Sequence, residues 1–132
     1  MEELASMKRR GVTDIVSLLT SAEETELQLQ SEEKFCHDLL LKFHRHPILD
    51  RGVPVQPAFD EFISTLLPSL ASGGFVAIHC KAGIGRSTVV AAALLCRLGF
   101  HPDQALDFIS YARGFEVPDT DAQFDFIQSL VR

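Results

Sequence analysis

Apolar positions along the chain fall into short runs that alternate with stripes at helical spacing. Residues Val12–Leu19 (VTDIVSLL) follow Gly11 and read as a short buried strand. Glu23–Leu41 is acidic at first and then apolar at Leu27, Phe35, Leu39 and Leu40, which predicts a helix covering one face. Leu40–Ile48 accommodates a second strand, closed by Pro47 and the turn-rich Asp50-Arg51-Gly52-Val53-Pro54. Phe59, Phe62, Ile63, Leu66, Leu67 and Leu70 follow helical spacing and form one buried stripe, ended by Gly73-Gly74. Phe75–His79 (FVAIH) is an apolar run too short for a helix and bounded by glycines, so a central strand is predicted there. Ser87–Leu98 is rich in Ala, Val and Leu and closes at Gly99, predicting a buried helix; Pro102–Ala112 and Pro118–Val131 read as two more.

Strands interleaved with helices predict an α/β fold: a central, mostly parallel sheet flanked by helices. No repeat, low-complexity tract or linker divides the 132 residues, so residues 1–132 are expected to form a single domain. In such sheets ligands bind beyond the carboxyl ends of the strands, so the strand ending at His79 aims the next loop at the expected site.

Charge narrows the function. Eighteen acids against 12 Lys and Arg give a net charge of −6, which repels nucleic acid and gives no pull toward anionic membranes. Any anion must therefore be caught by a site built for it. The start, Met1-Glu2-Glu3-Leu4, is acidic and shows no secretory leader. Cys36, Cys80 and Cys96 are odd in number and have no CxxC spacing. They argue against a disulfide framework and for a reduced, cytoplasmic setting. His44 and His46 have no carboxylate or cysteine at ligand spacing, so no metal is expected.

The chemistry lies in His79-Cys80-Lys81-Ala82-Gly83-Ile84-Gly85-Arg86-Ser87. A cysteine ends the strand, five residues turn, and an arginine stands at the mouth of a helix. Successive backbone N–H groups there can curl around a tetrahedral anion, with the helix N-terminus adding its partial positive charge. Gly83 and Gly85 let the backbone turn without Cβ clashes, and Arg86 can grip two anion oxygens as a fork. The same donors favour the thiolate of Cys80, an activated nucleophile at the floor of a phosphate cradle.

HCKAGIGRS resembles the signature loop of cysteine-based protein tyrosine phosphatases, His-Cys-x5-Arg-Ser/Thr. The chain from about Gly11 onward, including HPILDRGVP and RGFEVPDTDAQ, is similar to their compact dual-specificity-like branch. The resemblance implies that Cys80 attacks phosphorus to form a phosphocysteine and that Arg86 binds phosphoryl oxygens. Lys81, Ala82, Gly83, Ile84 and Gly85 would cradle the phosphate with it. Ser87 would donate a hydrogen bond to the sulfur, and His79 would order the loop. Asp50, 30 residues before Cys80, is selected as general acid and then general base; Asp38 and Asp119 are weaker substitutes. Gln123 would position the hydrolytic water, although Thr120 and Gln123 also spell a helix capping box. No cofactor is implied.

A monomeric phosphatase acting on phosphorylated proteins is expected, phosphotyrosine first, with phosphoserine and phosphothreonine also open. Lipid-phosphate members of the superfamily carry basic residues late in the loop where this chain has Ile84, which favours protein over phosphoinositide. A non-catalytic phosphoprotein-binding module is the alternative from another class; such modules lose the nucleophile, the arginine or the acid, and all three are kept here. Sulfur transfer or arsenate reduction would leave the Asp50 loop without purpose. The glycines match neither a Walker A loop, for lack of its lysine, nor a dinucleotide fingerprint. Glu24, just past the first strand, is placed to brace Arg86, or else belongs to a solvated run with Glu23 and Glu26. Relatives of the branch carry more chain and at least one more strand before Val12, which implies here a smaller sheet with an exposed edge or a shortened chain.

Overall fold

Three strands run parallel side by side: β1 (Asp14–Ser17), β2 (Lys42–Arg45) and β3 (Val76–His79), in the order β2-β1-β3. Ile15 sits level with Phe43 on one side and Ala77 on the other. The computed structural model describes residues 2–81, 85–114, 117–118 and 120–130.

Seven helices fill the described chain between and around the strands: α1 (Glu2–Arg9), α2 (Ser21–Glu26), α3 (Glu32–Asp38), α4 (Ala58–Ala71), α5 (Gly85–Arg97), α6 (Pro102–Arg113) and α7 (Asp121–Gln128). Because side chains alternate along a strand, the sheet feeds two cores. Val16, Val76 and Ile78 face a large cluster with Phe59, Ile63 and Leu66 of α4, Val89 and Val90 of α5, Leu106 of α6 and Ile127 of α7. Ile15, Phe43 and Ala77 face a smaller one with Leu4 and Met7 of α1 and Phe35 and Cys36 of α3. The result is the predicted α/β arrangement, a parallel sheet between helical layers.

Four details depart from the pattern-based expectation. The helix expected over Glu23–Leu41 is two helices, α2 and α3: the apolar stripe lapses at Gln28-Leu29-Gln30-Ser31, and Gln28 takes a left-handed backbone (φ 57°) that turns the chain. Helix α1 was invisible to the pattern, having only Leu4 and Met7 to bury; acids in its first turn and bases in its last complement its dipole. Among the described residues the central place in the sheet belongs to β1, buried at every residue, whereas β3 is half-buried throughout and has a strand on one side only. Finally, His44 of β2 and His46 just beyond it, which strand alternation predicts on one side facing solvent or a cleft rim, turn instead toward α4 and the buried Asp14. His46 stacks on Phe62 with ring centres 4.7 Å apart, and His44 Nε2 lies 2.7 Å from Asp14 Oδ2.

Asp14 anchors a buried polar knot at the amino ends of the strands. It accepts hydrogen bonds from Thr13 Oγ1 (2.7 Å) and Ser69 Oγ (3.0 Å) besides the contact with His44, joining β1, β2 and α4. Burial pushes its carboxyl up, but the bonds from Thr13, His44 and Ser69 outweigh burial and hold it below the ordinary value.

Candidate active site

β3 delivers Cys80 to the carboxyl end of the sheet, and α5 begins five residues later with Gly85-Arg86-Ser87, all three buried. Ser87 Oγ lies 3.0 Å from Cys80 Sγ, within reach of an O–H bond to sulfur. Ala82, Gly83 and Ile84, expected in the cradle, lie outside the described residues, as does Asp119. His79 turns into the smaller core layer, where Nε2 lies 2.8 Å from Glu32 Oε2.

The guanidinium of Arg86 is 2% exposed. Nη1 donates to Glu23 Oε1 (2.7 Å) and to the Ile48 carbonyl (2.8 Å), while Nη2 donates to Glu23 Oε2 (2.8 Å). This fork-on-fork pairing holds the Glu23 carboxyl at about 2; burial opposes the shift, and the backbone N–H of Thr20 assists it. The same bonds push Arg86 further up from its ordinary value. Nη2 also lies 3.5 Å from Asp50 Oδ1, so the predicted acid stands beside the predicted phosphate clamp, its side chain 61% exposed. Asp38, the weaker substitute, is exposed near the end of α3.

The brace of Arg86 is therefore Glu23 and not Glu24. Glu24 pairs with Arg45 Nε at 2.9 Å, and Glu26 pairs with Lys81. The acidic run expected to be solvated thus sets each of its three carboxylates against a cation of the sheet's carboxyl end. Lys81 is raised from its ordinary value, first by the hydrogen bond it donates to Glu26. The signal for Glu23 was present in Thr20-Ser21-Ala22-Glu23. That is a capping box: Thr20 N donates to Glu23 Oε1 (3.0 Å) and Glu23 N to Thr20 Oγ1 (3.3 Å). The box pins Glu23 at the start of α2, facing the sheet end, whereas Glu24 is turned about 100° further round the helix.

The acid loop is a tight turn in which Gly52 N donates to the Leu49 carbonyl (2.8 Å) and Arg51 adopts a left-handed backbone (φ 60°). Gln123 is fully buried and donates from Nε2 to the Gly52 carbonyl at 3.1 Å. Its other end, Oε1, accepts from Thr120 N at 3.3 Å, completing the capping box of α7. The structure joins Gln123 to the acid loop, so both ends of its amide are engaged within the protein. Cys36 is buried in α3, where burial first and the charges of Glu32 and Glu33 next push its thiol up to about 11; Cys96 is half-buried in α5. Among the described residues no three His, Cys, Asp or Glu gather in a group able to hold a metal.

A parallel sheet with a cysteine at a strand end, and an arginine and hydroxyl opening the next helix, is the framework of cysteine-based tyrosine phosphatases. Residues 3–131 match the dual specificity phosphatase catalytic domain. The chain belongs to that family. It is 29% identical to human cyclin-dependent kinase inhibitor 3 over 131 residues, covering 98% of this chain and 62% of that protein. It is 35% identical to mouse dual specificity protein phosphatase 2 over 95 residues, 70% of this chain and 29% of that one. Among solved structures, a kinase associated phosphatase with its catalytic site cysteine replaced by serine superposes with a TM-score of 0.86 at 29% identity, covering 93% of this chain and 70% of that one. The chain thus spans 62% or less of the length of the curated relatives it matches over nearly its whole extent.

Proposed function

We propose that the protein hydrolyses phosphomonoesters on proteins through a phosphocysteine. The observation that carries this is one constellation: Cys80 Sγ 3.0 Å from Ser87 Oγ, with Arg86 opening the same helix and Asp50 3.5 Å from that arginine. The Cys80 thiolate attacks phosphorus as the P–O bond to the leaving group breaks, and Asp50 gives its proton to the departing oxygen. Arg86, already oriented by Glu23, spreads charge from the equatorial oxygens. Water then attacks the phosphocysteine, Asp50 takes its proton, and the sulfur leaves as thiolate with the Ser87 hydroxyl donating to it. Phosphate is released, and nothing is oxidised or reduced.

Proteins are favoured over phosphoinositides as substrates because Lys81 is engaged by Glu26 and the net charge is −6. Phosphotyrosine is favoured because its phenolate is the better leaving group. The same proposal expects a monomer in a reducing, cytoplasmic setting, where Cys80 stays a thiol. Gln123 is proposed to steady the acid loop, and His79 the phosphate loop through Glu32.

The test is phosphate release in chelator and reductant, wild type beside Cys80→Ser. The panel holds an aryl phosphate, phosphotyrosine and phosphothreonine peptides, and a phosphoinositide. Turnover on the peptides that disappears in the variant supports the proposal. A folded wild type inert on all of them would point to a module that only binds phosphoprotein.

A further inference from the structure

Glu23 and Glu26 stand three residues apart and so share a face of α2. The capping box and the fork on Arg86 fix Glu23, and with it the direction of that face toward the sheet's carboxyl end. One turn further on, Glu26 Oε1 accepts a hydrogen bond from Lys81 Nζ. The two pairs differ in what a ligand can reach. Arg86 is buried, whereas the side chains of Lys81 and Glu26 are 42% and 58% exposed. Lys81 follows Cys80 directly, which puts its ammonium at the mouth of the phosphate site. It is raised from its ordinary value first by the bond to Glu26, and the charges of Glu23 and Asp50 add to the shift. Lysine is a compact charge on a flexible stem, so its partner decides where it rests. A lysine left free in this position would receive a second anionic group beside the phosphorylated residue; here a carboxylate of the protein already occupies it.

We infer that Glu26 is a specificity-determining residue: by occupying Lys81 it makes the site select singly phosphorylated segments with uncharged neighbours and discriminate against acidic ones. This rests on the phosphatase reading above and narrows its substrate class. A second anionic group must displace Glu26 from Lys81, and it meets the Glu26 and Asp50 carboxylates as it approaches. Like charge brought together is the repulsive half of specificity, and no new attractive contact is needed. Both members of the pair are bathed in solvent, so the discrimination is several-fold rather than absolute and is screened by salt. A surface pair that only decorated the end of α2 would affect every substrate alike. Dependence on the charge beside the phosphate is therefore the signature of the role.

The experiment measures kcat/KM for two phosphotyrosine peptides, one flanked by alanines and the other by aspartates, in wild type, Glu26→Gln, Lys81→Met and the double variant. At low ionic strength wild type should prefer the alanine peptide by about threefold or more. Glu26→Gln should raise the aspartate peptide about threefold and move the alanine peptide less than about twofold. That gain should shrink when Lys81→Met is added, because no freed lysine then receives the aspartates, and about 0.5 M salt should flatten it. An unchanged ratio in Glu26→Gln, or an equal rise on both peptides, would overturn the role of Glu26. A gain of full size in the double variant would overturn the part given to Lys81. The same ratio is read without turnover as Kd, by fluorescence polarisation of the labelled peptides on Cys80→Ser with and without Glu26→Gln. A wild type that hydrolyses neither peptide would overturn the phosphatase reading while the Kd ratio still decides the role of Glu26. Failure of Cys80→Ser to bind either peptide, with or without Glu26→Gln, would overturn that role too.

Discussion

The carboxylate of Glu23 meets the guanidinium of Arg86 fork to fork, at 2.7 and 2.8 Å, in a site where the arginine is 2% exposed. The phosphate grip proposed for Arg86 is favoured when the guanidinium is oriented beforehand, and Glu23 orients it. Removing the carboxylate leaves a buried charge without its partner, which typically costs about 3–5 kcal/mol. Glu23→Ala is therefore expected to destabilise the fold and to lower kcat/KM by about 10²-fold through a displaced clamp. The pH dependence separates this from ordinary packing loss. Glu23 sits at about 2 when folded against an ordinary 4.5, so its stabilising contribution is complete above 4.5 and disappears as pH falls toward 2. That displacement corresponds to about 3 kcal/mol. Denaturant unfolding at pH 6 and pH 3 should show wild type losing more stability than Glu23→Gln; equal losses would remove the assignment.

Asp50 lies 3.5 Å from Arg86 with its side chain mostly in solvent, a placement that suits the general acid and base proposed for it. Asp50→Asn should lower kcat by about 10²–10⁴ on alkyl phosphates. The loss should shrink on aryl phosphates, whose leaving groups depart with little help. Steady-state rates on a series of leaving groups provide the check. A loss independent of leaving-group basicity would assign the proton to another group.

Gln123 links α7 to the acid loop through the Gly52 carbonyl and is fully buried. Gln123→Ala leaves that carbonyl and Thr120 N without these partners and opens a cavity, expected to cost about 2–3 kcal/mol. With the loop untied, kcat should fall while KM for an aryl phosphate stays within about twofold, since the clamp on phosphate is untouched. Burst kinetics distinguish the two roles open to this residue. Slowing confined to phosphocysteine hydrolysis would favour a water-positioning residue; slowing of both steps, each of which is proposed to use Asp50, is the outcome a loop strap predicts.

Much of this site could be read from the chain because its parts are local in sequence. Cys80, Arg86 and Ser87 lie within eight residues, and the strand and helix around them carry plain apolar signatures. The braces could not be read in the same way. Glu23, Glu26 and Glu32 lie in an acidic stretch that looks solvated, and only the fold shows that α2 and α3 turn these carboxylates toward Arg86, Lys81 and His79. The break at Gln28 was obscured by flanking residues that tolerate helix, and a left-handed glutamine has no sequence signature. That β1 and not β3 has a strand on both sides among the described residues was likewise hidden, because an apolar five-residue run looks the same in either place.

The knot at Asp14 lies at the opposite ends of the strands from Cys80, so it offers a test of folding separate from catalysis. Three donors converge on one buried carboxylate, from Thr13, Ser69 and His44. Asp14→Ala strands all three at the junction of β1, β2 and α4. A cost of about 3 kcal/mol is expected, or a fall in Tm on the order of 10 °C. Asp14 is held below its ordinary 3.8, so its contribution is present above that value and is lost as pH falls below it. Asn at this position can keep some of the bonds without the charge, so Asp14→Asn should recover part of the Tm at neutral pH while weakening its dependence on acid. Calorimetry of both variants at pH 7 and pH 3.5 decides the matter. A fall under about 2 °C in Asp14→Ala would show that the knot is solvated and contributes little to joining the sheet to α4.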